Sequence, residues 1–215
     1  MPKSSAAAGS TDAQATTPSQ LPRRHFTRQR RALSKQRRQQ AATHASRHLN
    51  ALSRRLPRHA KVGLYYDGFG EMPTQPIATW CIKHGYQAYL PIVGSLGATD
   101  KRLRFAPLSQ HTLLTARTRK HALGMQQPQP SHLLWAQALD VLICPLVAAD
   151  KAGNRMGMGG GYYDRTLAYR QPGGSGKPLV IGWCYDFQLV ARLQRQPWDV
   201  PLDGLITPSG VHWFL

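Results

Sequence analysis

The chain has 215 residues, with 28 Lys and Arg against 10 Asp and Glu, and a formal net charge of +18 at pH 7. That length suits one sizeable α/β domain, or one domain with a tail. It carries no apolar run long enough to span a bilayer and no apolar stretch of the kind a secretory signal needs. The cationic surplus draws anions such as nucleotides, acidic substrates, nucleic acid or acidic lipid. It is uneven, with 13 Lys and Arg against the single Asp12 in residues 1–60. Cys81, Cys144 and Cys184 are odd in number, far apart and set in apolar runs. They read as reduced core residues of a cytoplasmic protein, not as disulfides or zinc ligands.

Residues 1–20 are Ser, Thr, Ala, Gln and Pro with almost no bulky apolar side chain, a composition that predicts a disordered tail. An Arg-rich, acid-poor N-terminus also admits an organelle-targeting reading, which ranks second. From Leu21 to Leu56 the chain lacks Gly, and Phe26, Leu33, Leu49, Leu52 and Leu56 give a sparse apolar face. This predicts two basic helices with Ser34 as the N-cap between them. Their arginines read as a solvated face. His44 and His48 stand at a spacing that suits one metal ion, but no Glu lies between them and no third ligand is evident, so they read as surface histidines.

Lys61 to Tyr66 is the first strand, followed by a turn over residues 67–74 and a helix from about Gln75 to His84. Gln87 to Val93 is a second buried strand, and this strand–helix–strand spacing argues for a parallel sheet. Leu103 to Leu108 reads as an outer strand, and residues 109–138 are less regular. Asp140 to Val147 is a strongly apolar central strand. Leu179 to Cys184 is another, followed by a helix over 187–194 and a last short strand at Gly204 to Thr207. The expected architecture is a single α/β domain over 21–215: a mostly parallel open sheet flanked by helices and preceded by the basic N-terminal helices. Glu71 is the only glutamate of the chain. It lies at a strand's C-terminal end, where open α/β sheets bind ligands, although a capping role at the following helix is equally open.

The most informative stretch runs from Arg155 through Met156, Gly157, Met158, Gly159, Gly160, Gly161, Tyr162, Tyr163 and Asp164 to Arg165. Four glycines in five positions permit positive φ and close approach, and their bare N–H groups can form a concave anion site. A helix opening at Tyr162 would add unsatisfied donors. Arg155 and Arg165 bracket the loop with full charges, and Asp164 offers a carboxylate for a divalent cation. The spacing is neither that of a P-loop nor that of the dinucleotide fingerprint. Together with the run from Asp140 to Asp150, this stretch resembles the signature of the 5-formyltetrahydrofolate cyclo-ligases, also called methenyltetrahydrofolate synthetases. The resemblance runs in order from about Arg23 to Thr207. Glu71 to Thr74 matches the family's Glu-x-x-Thr segment, and residues 124–128 and 198–203 support it.

The resemblance implies ATP-dependent cyclisation of 5-formyltetrahydrofolate to 5,10-methenyltetrahydrofolate, with ADP and phosphate released through a phosphorylated formyl intermediate. It implies ATP as co-substrate and Mg²⁺ as the bound ion. Aligning residues 30–34 on the family's first-helix ending brings Arg23 onto its nucleotide-contacting arginine. The site it implies has Arg23, Arg155, Met156, Gly157, Met158, Gly159, Gly160, Gly161, Tyr162 and Tyr163 on the nucleotide, and Tyr66 and Glu71 on the folate. Asp164 and Asp199 hold magnesium, with Asp203 a weaker candidate, since Asp at both 199 and 203 also suits turns. Arg155, Tyr163 and Asp164 would position the reacting groups, and no protein nucleophile is needed for phosphoryl transfer. One departure is Ser19, where the family has Lys or Arg; Arg24 or Arg28 could substitute. The expected protein is a monomer acting on a small folate, away from membranes. Two other classes compete: a nucleic-acid-binding protein, motivated by charge but lacking any recognition signature and so expected to bind only non-specifically, and an inactive family member serving as a folate-binding module.

Overall fold

A computed structural model describes residues 21–97, 99–108, 118–120, 126–128, 132–170 and 176–214. The expected tail, Ser19 and most of 109–131 lie outside the described residues. Two of the expected helices stand where the sequence puts them: α1, Arg23–Ala32, and α2, Lys35–Ser46. The Ser34 hydroxyl caps α2 by accepting from the Arg37 N–H, which satisfies one of the orphan donors of the first turn. A short helix α3, Asn50–Ser53, follows.

The sheet begins with β1, Lys61–Gly63, and passes through helix α4, Gln75–His84, to β2, Gln87–Ile92. Pro76 in its first turn and Gly85 at its end bound α4; Gly85 takes φ 68° and its N–H closes on Cys81 and Ile82 carbonyls. Then come β3, Arg104–Pro107, the small hairpin β4, Thr118–Lys120, and β5, Gln126–Pro128. The central strand β6, Val141–Cys144, is buried at every position. Continuous apolar character of that kind belongs to a parallel strand covered on both faces. It continues into β7, Ala148–Asp150, and β8, Arg155–Met156; helix α5, Tyr162–Leu167, follows the glycine loop. The chain ends with β9, Leu179–Trp183, β10, Leu189–Val190, β11, Gly204–Thr207, and β12, Gly210–Trp213.

Seven strands form the main sheet in the order β12-β11-β9-β6-β1-β2-β3. The five inner strands are parallel, and the edges β3 and β12 are antiparallel. The inner order reverses direction between β1 and β6, and in open sheets of this doubly wound kind ligands bind beyond the strand ends at that switch point. One apolar layer packs α2 and α4 on one face, with Leu49, Leu52, Ile77 and Trp183 among its fully buried members. A second, on the other face, includes Phe105, Leu142 and Leu205. Burying each such side chain is worth about 1.5–3 kcal/mol. All three cysteines are free and buried. Among the described residues no helix is long and apolar enough to cross a membrane.

Two expectations fail locally. The helix expected over 187–194 is a single 3₁₀ turn, Asp186–Gln188, followed by β10, which pairs in parallel with β7. The buried carboxylate of Asp150 explains it. Asp150 accepts from the Leu193 N–H at 2.8 Å and draws this segment into a second, three-stranded sheet, β10-β7-β8. Gly204–Thr207 is also not the last strand, because Thr207 and Gly210 close a hairpin that adds β12 to the sheet edge.

Asp150 also accepts from the Ala152 and Asn154 N–H groups and from Asn154 Nδ2, each at 2.9 Å, and so shapes the turn that delivers Arg155 to the glycine loop. Replacing it by Ala would strand four donors, one of them buried and three part-buried. The Asp150→Ala variant is expected to lose about 3–5 kcal/mol of stability, read from urea denaturation midpoints; a loss below about 1 kcal/mol would mean that the turn holds itself.

Candidate anion and substrate site

The loops that follow β1 and β6 meet at the switch point, and α1 closes over both. Residues 65–74, between β1 and α4, are pinned from several sides. Tyr65 Oη donates to Met72 O at 2.8 Å, Trp183 Nε1 to Pro73 O at 3.1 Å, and Tyr185 Oη to Gly70 O at 3.2 Å. Gly70, at φ 80°, lies so near α1 that a Cβ there would stand 2.8 Å from the Arg30 carbonyl. Phe69 beside it is 58% exposed at φ 50°, with the Arg31 guanidinium 5.8 Å from its ring centre.

Glu71 sits at the inner end of this loop with its carboxyl largely covered. It does not cap α4, whose N-cap is Thr74. One oxygen instead accepts from the Gly68 N–H at 3.2 Å, and the other lies 3.6 Å from Arg30 Nη1. Burial pushes the Glu71 carboxyl up to about 7, against the downward pull of Arg30 and the Gly68 N–H. Tyr66 is half-buried, and its hydroxyl has no hydrogen-bond partner among the described residues. Burial raises it to about 12, so it is a neutral donor awaiting an acceptor.

The glycine loop runs from β8 to α5 with Gly159 at φ 95° and Gly161, the N-cap of α5, at φ 70°. Both conformations suit only glycine at low cost. Arginines surround it. Arg23 Nε donates to Gly157 O at 2.8 Å, and Arg165 Nη1 reaches Gly160 O at 3.3 Å. Arg155 is buried, pairs with Asp164 and lies 5.9 Å from the Tyr163 ring centre. A Cβ added at Gly161 would overlap the Arg165 guanidinium, and one at Gly160 would stand 2.9 Å from the Tyr162 ring. Met158 at the crest is 51% exposed. Arg24 and Arg28 are exposed on α1, and Met156 is half-buried.

The structure thus brings Arg23, Arg155, residues 156–163 and Asp164 together, and sets Tyr66 and Glu71 at the neighbouring loop. The two carboxylates expected to share a cation are engaged separately. Asp164 pairs with Arg155, whereas Asp199 accepts from the Gln196 N–H at 2.8 Å and closes its own surface turn. Asp203 takes the Arg170 guanidinium and the Val180 N–H, a purely architectural task. Among the described residues no cluster of three or more His, Cys, Asp or Glu could hold a metal.

The residue that sequence reasoning missed is Arg30. Its basic neighbourhood reads as a solvated face, yet Arg30 has no exposed surface. Its Nη1 donates to Leu146 O at 2.9 Å and faces Glu71, and its Nη2 reaches Met158 Sδ at 3.6 Å. Buried Gln188 donates to the same Leu146 carbonyl at 3.0 Å. The available signal was positional: Arg30 falls one turn after Phe26, on the only apolar face that α1 has.

The fold and this site define a doubly wound α/β protein with an arginine-ringed glycine loop and a buried carboxylate side by side at its switch point. The chain belongs to the 5-formyltetrahydrofolate cyclo-ligase family, a family of enzymes whose model matches residues 15–208. The 5-formyltetrahydrofolate cyclo-ligase of Escherichia coli (strain K12) is 33% identical over 183 residues, covering 85% of this chain and 96% of that one. Its counterpart from Haemophilus influenzae is 31% identical over 166 residues, covering 74% and 80% respectively. The NMR structure of Aquifex aeolicus 5,10-methenyltetrahydrofolate synthetase matches with a TM-score of 0.71 at 28% identity, over 89% of this chain and 90% of that one.

The Glu71 carboxyl has an ordinary value of 4.5 and is raised in the fold. The stability linked to this raised group is therefore fully present below about 4.5 and is lost as pH rises through about 7. Glu71→Gln removes that dependence. The stability difference between variant and wild type, from denaturant midpoints between pH 4.5 and 8, is expected to move in favour of the variant up to about pH 7 and then level off. A difference flat across this range would mean that Glu71 is not raised.

Proposed function

We propose that the protein catalyses the ATP-dependent closure of 5-formyltetrahydrofolate to 5,10-methenyltetrahydrofolate, releasing ADP and phosphate. The observation that supports this is the pairing of an open, arginine-ringed glycine loop with a covered carboxylate and a tyrosine hydroxyl that has no partner among the described residues, at the place where the sheet order reverses. The amides of residues 157–161 hold the triphosphate, with Arg23 and Arg155 neutralising its charge. Glu71 accepts from the amino and ring N–H groups of the pterin, and the free Tyr66 hydroxyl donates on the same side.

An N-formyl carbon is a poor electrophile, because its oxygen carries amide electron density. In the proposed reaction the formyl oxygen attacks the γ-phosphorus, the bond to the ADP oxygen breaks, and the resulting phosphorylated imidate carries a good leaving group. The N10 lone pair then attacks the formyl carbon. Its proton is lost, phosphate departs with the C–O electron pair, and the methenyl bridge remains. The enzyme's part is positioning and charge neutralisation, which is what phosphoryl transfer mostly requires. Magnesium, when bound with the nucleotide, supplies further charge neutralisation. Asp164 fits that role through the oxygen not facing Arg155, while Asp199 fits it less well because its side chain is bound to its own turn.

Formation of the methenyl chromophore from 5-formyltetrahydrofolate and ATP tests this reading. Wild type is expected to form it only with ATP present. Gly160→Asp, which sets a carboxylate within the phosphate cradle, is expected to lower turnover by about a thousandfold or more. Gly160→Ala controls for displacement of Tyr162 and should retain far more activity than the Asp variant. Persistent turnover in Gly160→Asp would place the nucleotide elsewhere.

A further inference from the structure

Arg30 is a fully buried cation shared by three loops that belong to no common element. Its two terminal nitrogens reach Leu146 O after β6, the Glu71 carboxylate after β1 and Met158 Sδ at the crest of the glycine loop. Its Nε is buried with no hydrogen-bond partner among the described residues. The Leu146 contact is a short hydrogen bond from Nη1 to a carbonyl that Gln188 also holds, so Nη1 has a fixed oxygen to turn about. The Glu71 contact, at 3.6 Å, is long for a carboxylate, and the Met158 contact, at 3.6 Å, has an ordinary length for sulfur but is weak. A thioether is a weak acceptor, and a carboxylate at that distance is an ion pair short of a good charge-assisted hydrogen bond. Nη1 thus makes one firm bond, to Leu146 O, and one contact that can shorten, to Glu71, while Nη2 is held only by the weak sulfur contact on the other half of the site.

We propose that Arg30 is a positioning residue that couples the two halves of the site, so that filling the glycine loop tightens the grip on the folate at Glu71, and the reverse. This rests on the function proposed above and adds to it a specific communication between the two substrates. A triphosphate seated on residues 157–161 reorders the loop crest and so moves Met158. The guanidinium, pivoting on Leu146 O, then closes on Glu71. Thermodynamic linkage makes the effect equal in both directions.

Binding of 5-formyltetrahydrofolate to the full chain, measured by calorimetry with and without a saturating nonhydrolysable ATP analogue, tests it. In wild type the analogue is expected to tighten folate binding by about fivefold or more, the lower end of ordinary coupling. In Arg30→Gln the factor is expected to fall within about twofold of unity. Glu71 can take up a proton in that variant, so no bare charge is left buried. Met158→Leu removes the sulfur acceptor at an exposed position with little change in volume, and is expected to lose coupling likewise.

A second readout separates positioning from plain structural support. Glu71 is faced by Arg30 from α1, by Asp67 and the Gly68 N–H of its own loop, and by Tyr65, Tyr163 and Tyr185, all three phenols raised and neutral. Arg30 pulls the Glu71 carboxyl down, so its loss raises it. The pH at which folate affinity is half developed is expected to move above its wild-type value in Arg30→Gln and to stay put in Met158→Leu. Coupling that survives in either variant overturns the inference, as does wild type that binds both ligands and makes methenyl product without coupling. If Arg30→Gln does not fold, Met158→Leu alone decides. Wild type that forms no methenyl product overturns the proposed function itself, a distinguishable result.

Discussion

A single guanidinium without exposed surface holds together the region where the loops after β1 and β6 meet. A buried arginine costs several kcal/mol in lost hydration unless its donors are met. Arg30 offsets that cost only in part, with one strong carbonyl bond, one carboxylate and one sulfur, its Nε finding no partner among the described residues. The consequences spread outward. α1 must lie across the switch point, Gly70 must be glycine because the Arg30 carbonyl leaves no room for a Cβ, and Glu71 must stay inside against the pull of solvent. The same helix, one end further on, sends Arg23 to the first carbonyl of the glycine loop. Both halves of the site are thus built on a helix that contributes nothing to the sheet.

The division of labour among carboxylates follows from what each one touches. Asp150 and Asp203 are buried and saturated with backbone or arginine donors, so they are spent on architecture. Asp164 faces Arg155 beside the loop, and Asp199 serves a surface turn. Among the described carboxylates Glu71 alone combines burial with incomplete pairing, and burial pushes it up to about 7. Perturbed groups of this kind concentrate where ligands bind, though ion-pair networks also produce them.

Much of this was legible in the chain. The fully apolar β6, the helix from Gln75 to His84 and the Ser34 cap are local signals, and local physics decided them. The glycine cluster with its flanking arginines marked out the loop, which takes positive φ at Gly159 and Gly161 and lies beside Arg23, Arg155 and Arg165. What escaped was set by partners distant in sequence. Arg30 looked like its exposed neighbours until Glu71, Leu146 and Met158 were brought around it. The segment after Gln188 has helical composition, yet Asp150, 43 residues earlier, captures Leu193 and turns the chain into a strand. Asp199 carried a ligand's residue type, but its nearest donor is a neighbour three residues away.

The central claim is that bare amides of the glycine loop grasp the triphosphate. Glycine-selective ¹⁵N labelling, with spectra recorded while a nonhydrolysable ATP analogue is added, tests it most directly. The account predicts that Gly157, Gly159, Gly160 and Gly161 shift together and saturate at the concentration that saturates binding by calorimetry. Saturable binding that left these four amides unmoved, with other glycines shifting instead, would contradict it.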